Sequence, residues 1–304
     1  MEKKKNDFIA QGSILAVASI LVRVMGMIYR IPMTAIIGDK GNGFYSYAYS
    51  VYTILLLLSS YSLPLAVSKM VSAKAQLGQW RNVKRVFICA IAFAIGIGTT
   101  FGLIVLIGAQ FFTRVFFHSE LAAIALRFMA PTILIMALLG VFRGFFQGLQ
   151  NTLPTAVSQI VEGLINAIMS VVFAYFLFDF GHGMDAASGT TDLGYAWGAA
   201  GGAIGTGAGA LAGLIFCFIL FVAYRKILAV NISRDKTGTQ QEYGDIFRLM
   251  LSIALPVILS TALYNLIELV DGSLFNNIMA SKGMEDVKDS MWGAYNAKAL
   301  LLVH

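Results

Sequence analysis

Long apolar runs alternate with short polar or charged breaks along the whole chain. Each run reaches the roughly 20 apolar residues that a helix needs to cross the hydrocarbon core of a bilayer. Seven runs are complete, at about 10–37, 44–67, 86–112, 121–148, 154–178, 196–224 and 246–279, and an eighth opens near 291. None shows the polar face that an outer helix of a soluble protein turns to water. The pattern predicts an all-α, polytopic transmembrane bundle. We divide it into a first bundle of six helices over 1–224, a basic cytoplasmic loop over 225–245 and the start of a second bundle over 246–304.

The breaks carry the orientation. Lys3, Lys4 and Lys5 precede the first run, Lys69, Lys74, Arg81, Lys84 and Arg85 fill the second break, and Arg225, Lys226, Arg234 and Lys236 the sixth. The intervening breaks, Gly38–Gly43, Phe117–Glu120 and Asp179–Tyr195, are poor in Lys and Arg. Cationic loops stay in the cytoplasm, so the amino terminus and the even-numbered loops are expected inside the cell membrane. Composition agrees: 58% of the 304 residues are hydrophobic and 12% charged, against about 25% charged in soluble domains. The net charge of +6 sits between apolar runs, which points to membrane orientation and away from nucleic acid. No small-residue cleavage site closes a short apolar core near Met1, so the first run reads as a retained span. The chain ends at Leu300–His304, a few residues into a new run, and we expect a truncated sequence.

Charges inside spans cost at least about 2.5–3.5 kcal/mol to insert. Arg23 and Arg30 lie two turns apart on one face of the first run, roughly 10 Å from each other. Snorkelling suits Arg30, near a helix end, but Arg23 is too deep for it. The alternatives are a water-filled cationic cavity or pairing with another helix, and a guanidinium pair suits phosphate. Ser158, Glu162, Asn166 and Ser170, spaced by four, form a polar stripe on the fifth run. It either lines a cavity or bonds between helices, with Glu162 neutral or paired. Glu268 and Asp271 in the seventh run share a side with Asn265. They suit a proton or Na⁺ site, or a pairing with the arginines.

Gly201, Gly205, Gly209 and Gly213 make a smooth ridge for close helix packing; no strand precedes them and no Lys-Ser/Thr follows, so a phosphate loop is excluded. The second run is rich in Tyr, with Tyr45, Tyr47, Tyr49 and Tyr52; those near its start suggest an interfacial aromatic belt, with stacking on sugar rings as the alternative. Cys89 and Cys217 have no paired spacing, and His118, His182 and His304 no metal-ligand spacing. With no catalytic constellation, we expect neither an enzyme nor a cofactor.

Three stretches carry a resemblance. They are Arg23-Val-Met-Gly26 through Tyr29-Arg30-Ile-Pro32 to Gly41-Asn-Gly43-Phe-Tyr45; Leu63-Pro64-Leu-Ala66-Val-Ser68-Lys69; and Phe142-Arg143-Gly144-Phe-Phe-Gln147-Gly148 with Pro154-Thr155-Ala and Ser158-Gln159-Ile-Val-Glu162. In these the chain resembles the polysaccharide-transport branch of the multidrug/oligosaccharidyl-lipid/polysaccharide exporter superfamily, within it the stage V sporulation protein B group, related to MurJ-type lipid II flippases. Gly163–Asn166 departs from the pattern, since another basic residue is expected there. The resemblance implies two bundles around a central cavity, fourteen spans in all, of which this chain supplies the first half or slightly more. It also implies that Arg23 and Arg30 face the cavity and hold the diphosphate of a lipid-linked sugar, and that Asp271 contributes to a cation site. The function so implied is outward movement of an undecaprenyl-linked precursor of peptidoglycan or another polysaccharide. The alternatives are a cation-coupled multidrug exporter of the same superfamily, or a non-transporting membrane scaffold for wall synthesis. The expected partners are a lipid-linked oligosaccharide and membrane lipids, with Na⁺ or proton coupling.

Overall fold

The computed structural model describes residues 2–189 and 191–299, with the side chains of 2–11, 60–61, 186–188, 262–265, 268 and 299 left aside. Within these residues the regular structure is helical: α1 (Glu2–Leu56), α2 (Leu63–Gln76), α3 (Trp80–Phe117), α4 (Ala122–Gly148), α5 (Leu153–Ser188), α6 (Leu193–Ser233), α7 (Tyr243–Ser281) and α8 (Glu285–Ala294). Short π-helical segments, Leu57–Tyr61 and Tyr295–Ala299, follow α1 and α8. Among the described residues, six stretches are long and apolar enough to cross a membrane, the first running from Gly12 to Gln76. The chain is a multi-pass membrane protein.

A straight helix of α1's 55 residues would extend roughly 80 Å, against a hydrocarbon core of about 30 Å. Gly38 breaks it, with φ 63° and ψ −178°. That region of backbone space is essentially closed to residues with a Cβ. The first two predicted spans therefore meet at a single break, and the loop expected over Gly38–Gly43 is replaced by helix that resumes at once. We call the two parts the rising leg, before Gly38, and the returning leg, after it. Pro32 interrupts the rising leg's hydrogen bonding just before the break.

Two apolar clusters hold the bundle together. One joins Leu63–Val71 of α2, Val83–Ala94 of α3, Ala137–Phe146 of α4 and Cys217 of α6 to Ile246, Met250 and Ala254 of α7. Phe87 lies at its centre, with its ring 4.5 Å from that of Phe221 and 5.0 Å from that of Phe145. The other joins the returning leg to α3, α4, α6 and Trp292. The glycine ridge of α6 packs on α5: a Cβ on Gly201 would overlap the backbone at Phe173 and Ala174, one on Gly205 would overlap Ser170, and one on Gly209 would stand 2.6 Å from the Glu162 carbonyl oxygen. Such contact is what small residues permit between membrane helices.

The basic loop is shorter than its expected 225–245. Arg225 and Lys226 still belong to α6, and 234–242 alone connects it to α7. This segment is strapped to the start of α3. Asn82 donates to the Thr239 carbonyl and accepts from the Gln241 N–H, while Arg85 donates to the Gln241 carbonyl at 2.6 Å. The N–H of Arg81, then the hydroxyl and N–H of Thr237, hold the Asp235 carboxyl down to about 2. Among the described residues, α7 and α8 both pack against the first six runs. The expected ending at Leu300–His304 lies outside the described residues.

Candidate functional site

The break at Gly38 turns the returning leg alongside the rising leg, and Tyr29 and Tyr45 pack against the same Met33–Ile37 cluster. Both legs, α7 and the α8 end then line an open cavity of about 1360 Å³. Arg23, Arg30 and Asp271 all line it. Three charges that the sequence places 248 residues apart at the extremes thus share one space. Arg23 and Asp271 are exposed and Arg30 half-buried. Among the described residues neither arginine forms an ion pair. A charge at membrane depth is retained cheaply only where water or a counter-ion reaches it, so this geometry favours the cavity alternative for the arginines. The side chains of Glu268 and Asn265 lie outside the described residues.

Glu162 and Asn166, grouped with the arginines in the sequence reading, do not line this cavity. Glu162 is held by Arg143 of α4, with Nη2 to Oε2 at 2.7 Å, and Arg143 Nε donates to the Ser158 hydroxyl at 2.8 Å. Asn166 accepts from the Ser170 hydroxyl at 2.7 Å and stands against Gly209. The stripe on α5 therefore bonds between and along helices. Sequence reasoning misses Arg143 as an intramembrane charge. Its signal was present, as an arginine inside the apolar run 121–148 facing an otherwise unmatched Glu162 in the next run. Gly163, where a further basic residue was expected, packs on Val22 and Met25 of the rising leg, and a long side chain there would part the two helices.

The aromatic-belt reading of the tyrosines is overturned. A belt side chain must reach the lipid headgroups, yet Tyr47 is 0% and Tyr52 2% exposed. Tyr47 donates to Asn276 at 3.0 Å and stacks on Phe117 with ring centres 4.7 Å apart. Tyr45 and Tyr49 line the cavity, their rings stacked at 5.8 Å and 17°. Trp292, Tyr295 and Asn296 share the same lining, and no local pattern marks them, because they follow the last complete run.

A buried polar group lies beside the cavity, where α8 meets the returning leg. Lys288 donates to the carbonyls of Phe117 and His118 at 3.2 and 2.8 Å. Burial pushes the neighbouring Asp289 carboxyl up. Lys40 pairs with Asp192 at 2.7 Å and Lys298 with Asp39 at 2.8 Å, tying this end of the bundle together. Cys89 and Cys217 are free and buried. Among the described residues, no group of His, Cys, Asp and Glu is arranged to hold a metal.

Residues 8–303 match the family model described as polysaccharide biosynthesis protein. Stage V sporulation protein B of Bacillus subtilis (strain 168) is 26% identical over 86% of this chain and 48% of its own length. Lipid II flippase MurJ of the same organism is 26% identical over 91% of this chain and 51% of its own length. The chain thus spans about half the length of the curated relatives it matches. Among solved structures, a MOP superfamily transporter from Pyrococcus furiosus Vc1 (DSM3638) superposes with a TM-score of 0.61 at 16% identity, covering 93% of this chain and 61% of that one. That likeness supports the fold.

Proposed function

The chain belongs to the polysaccharide biosynthesis protein family, and from that premise we propose that it moves a lipid-linked saccharide diphosphate outward across the cell membrane, with its amino terminus in the cytoplasm. The observation that carries this reading is the pair Arg23 and Arg30, without ion-pair partners among the described residues, on the wall of one large cavity. A diphosphate brings the missing anion. Guanidinium groups meet it with planar, bidentate donors, which an ammonium lacks. The polyprenyl tail stays in the bilayer, and transport then amounts to presenting the cationic cavity to each side in turn. The relative named as a lipid II flippase and the polysaccharide biosynthesis family motivate a cell-wall precursor or polysaccharide unit as substrate. Asp271, on the same wall, is the candidate for Na⁺ or proton coupling, with Glu268 one turn away.

A cation-coupled multidrug exporter is the second reading. Two arginines on the cavity wall disfavour a cationic drug, since like charge in a low-dielectric site is repelled. A scaffold without transport has no use for an unpaired deep arginine. The test is Arg23→Ala and Arg23→Lys in the full-length protein, in cells depleted of other flippases. Arg23→Ala should remain monodisperse in detergent and expose less than about a tenth as much lipid-linked precursor, as expected where a charge-assisted contact worth about 1.5–3 kcal/mol is lost. Arg23→Lys should recover part. A folded Arg23→Ala protein that still flips at the wild-type rate refutes the cationic-cavity reading.

A further inference from the structure

The cavity wall that bears the arginines also bears two exposed aromatic rings, each backed by a second ring. Tyr49 is 38% exposed and stacks on Tyr45, whose hydroxyl stands 3.3 Å from that of Thr206. Tyr295 is 50% exposed and leans on the buried Trp292, with ring centres 5.6 Å apart. Trp292 stacks in turn near Tyr47, which is anchored to the buried Asn276. Each exposed ring is therefore set on an inner aromatic, and the ring behind Trp292, Tyr47, is tied to the fully buried amide of Asn276. Rings so supported lose little entropy on binding, which is the condition for a pre-organised site.

Height along the membrane follows from the chain. Tyr29 and Tyr45 pack against the same Met33–Ile37 cluster, which brings the two legs side by side there. Tyr49 lies one turn further from the Gly38 break, about 6 Å, and so stands between the levels of Arg30 and Arg23. A ring at that height faces the same cavity as both guanidinium groups.

We propose that Tyr49 and Tyr295 form a saccharide subsite, on which the pyranose attached to the bound diphosphate rests its C–H face; this rests on the reading of Arg23 and Arg30 given above. The chemistry selects a sugar over the other ligands of aromatic walls. An organic cation suits aromatic faces, but the two arginines oppose it. A polyprenyl chain suits them too, yet the same wall carries Ser46, Asn296 and Arg30, and the bilayer offers the chain a wholly apolar alternative. A pyranose has both an apolar ring face for the tyrosines and hydroxyls for the amide and hydroxyl groups around them.

The experiment measures binding to the full-length protein in nanodiscs, with two probes: undecaprenyl diphosphate carrying a disaccharide, and undecaprenyl diphosphate alone. The wild type should prefer the glycosylated lipid. Tyr49→Leu and Tyr295→Leu should each weaken binding of that lipid about 5- to 10-fold, the scale of one aromatic contact, and leave the bare diphosphate lipid within about 2-fold. Tyr49→Phe and Tyr295→Phe keep the ring face and should keep the preference, which separates stacking from any loss of fold in the Leu variants. Leu variants that weaken both probes equally, or neither, overturn the saccharide subsite. Arg23→Ala tests the underlying reading apart from this one. If it leaves both probes bound as before while the Leu variants still act on the glycosylated lipid alone, the diphosphate reading fails and the subsite stands.

Discussion

Replacing Gly205 and Gly96 by alanine makes the same chemical change at two places where the surroundings demand opposite results. Gly205 lies on the α6 ridge, and its added methyl would overlap the backbone N, Cα and Oγ of Ser170 on α5. Backbone cannot swing aside as the end of a flexible side chain can, so α5 and α6 must separate locally. That also disturbs the Ser170 hydroxyl, which donates to Asn166 at 2.7 Å. Overpacking costs about 1–3 kcal/mol, and a backbone obstacle argues for the upper end. The substitution also gains about 1 kcal/mol of helix propensity, which leaves a net loss of about 2 kcal/mol, or roughly 30-fold in the folded-to-unfolded ratio. At Gly96 on α3 nothing lies within 4 Å of the added methyl, so only the propensity gain of about 1 kcal/mol remains. Thermal unfolding in one detergent, followed by loss of the monodisperse peak, should place Gly205→Ala below wild type and Gly96→Ala at or above it. A Gly205→Ala protein as stable as wild type would refute the ridge as a packing face.

Two further outcomes follow from the same geometry. Arg143→Met or Glu162→Leu alone should each destabilise by about 1–3 kcal/mol, because either leaves a half-buried charge unmatched; the double variant should cost less than the sum of the two, and strict additivity in that cycle would show the pair to be unimportant. Cysteine at Thr191 should react with an impermeant thiol reagent applied to intact cells and cysteine at Thr239 should not, as the acidic fifth and basic sixth breaks require; the reverse pattern overturns the orientation.

Helix content and packing ridge were legible because both depend on periodicity alone. Apolar runs of spanning length admit one backbone solution among helices and closed barrels, and the period-four glycines kept their meaning in any neighbourhood. The break at Gly38 was placed correctly but mistaken for a loop, since nothing local says whether helix resumes within one residue or six. The tyrosines failed for a different reason. A ring near the start of a span can face lipid or protein, and only the return of α8 onto the second leg of α1 decides it: a Cβ on Gly43 would collide with the Asp289 backbone, so the two helices touch there and the outer surface is covered. That contact joins residues about 250 apart, beyond the reach of any local pattern.

Arg143 and Arg23 show how neighbours, not residue type, divide structure from function in this bundle. Both are arginines inside apolar runs, and both have a glycine close behind, Gly144 and Gly26. Gly144 lets α4 approach α2, where its Cβ would stand 2.6 Å from the Pro64 carbonyl oxygen, and α5 then offers Ser158 and Glu162 one turn apart to match the guanidinium. The charge of Arg143 is balanced within the fold and does not change with what the protein carries. Nothing lies within 4 Å of a Cβ on Gly26, and that face opens into the cavity with Arg23 and Arg30. Under the proposed function their charge is balanced by whatever enters. A ligand shifts a conformational equilibrium only by its differential affinity for the two states, and an arginine whose partner arrives with the ligand supplies that difference, whereas one already paired inside the fold does not. Under the proposed function, Arg23 and Arg30 are where binding energy becomes available for transport, and Arg143 with Glu162 is part of the frame against which they act.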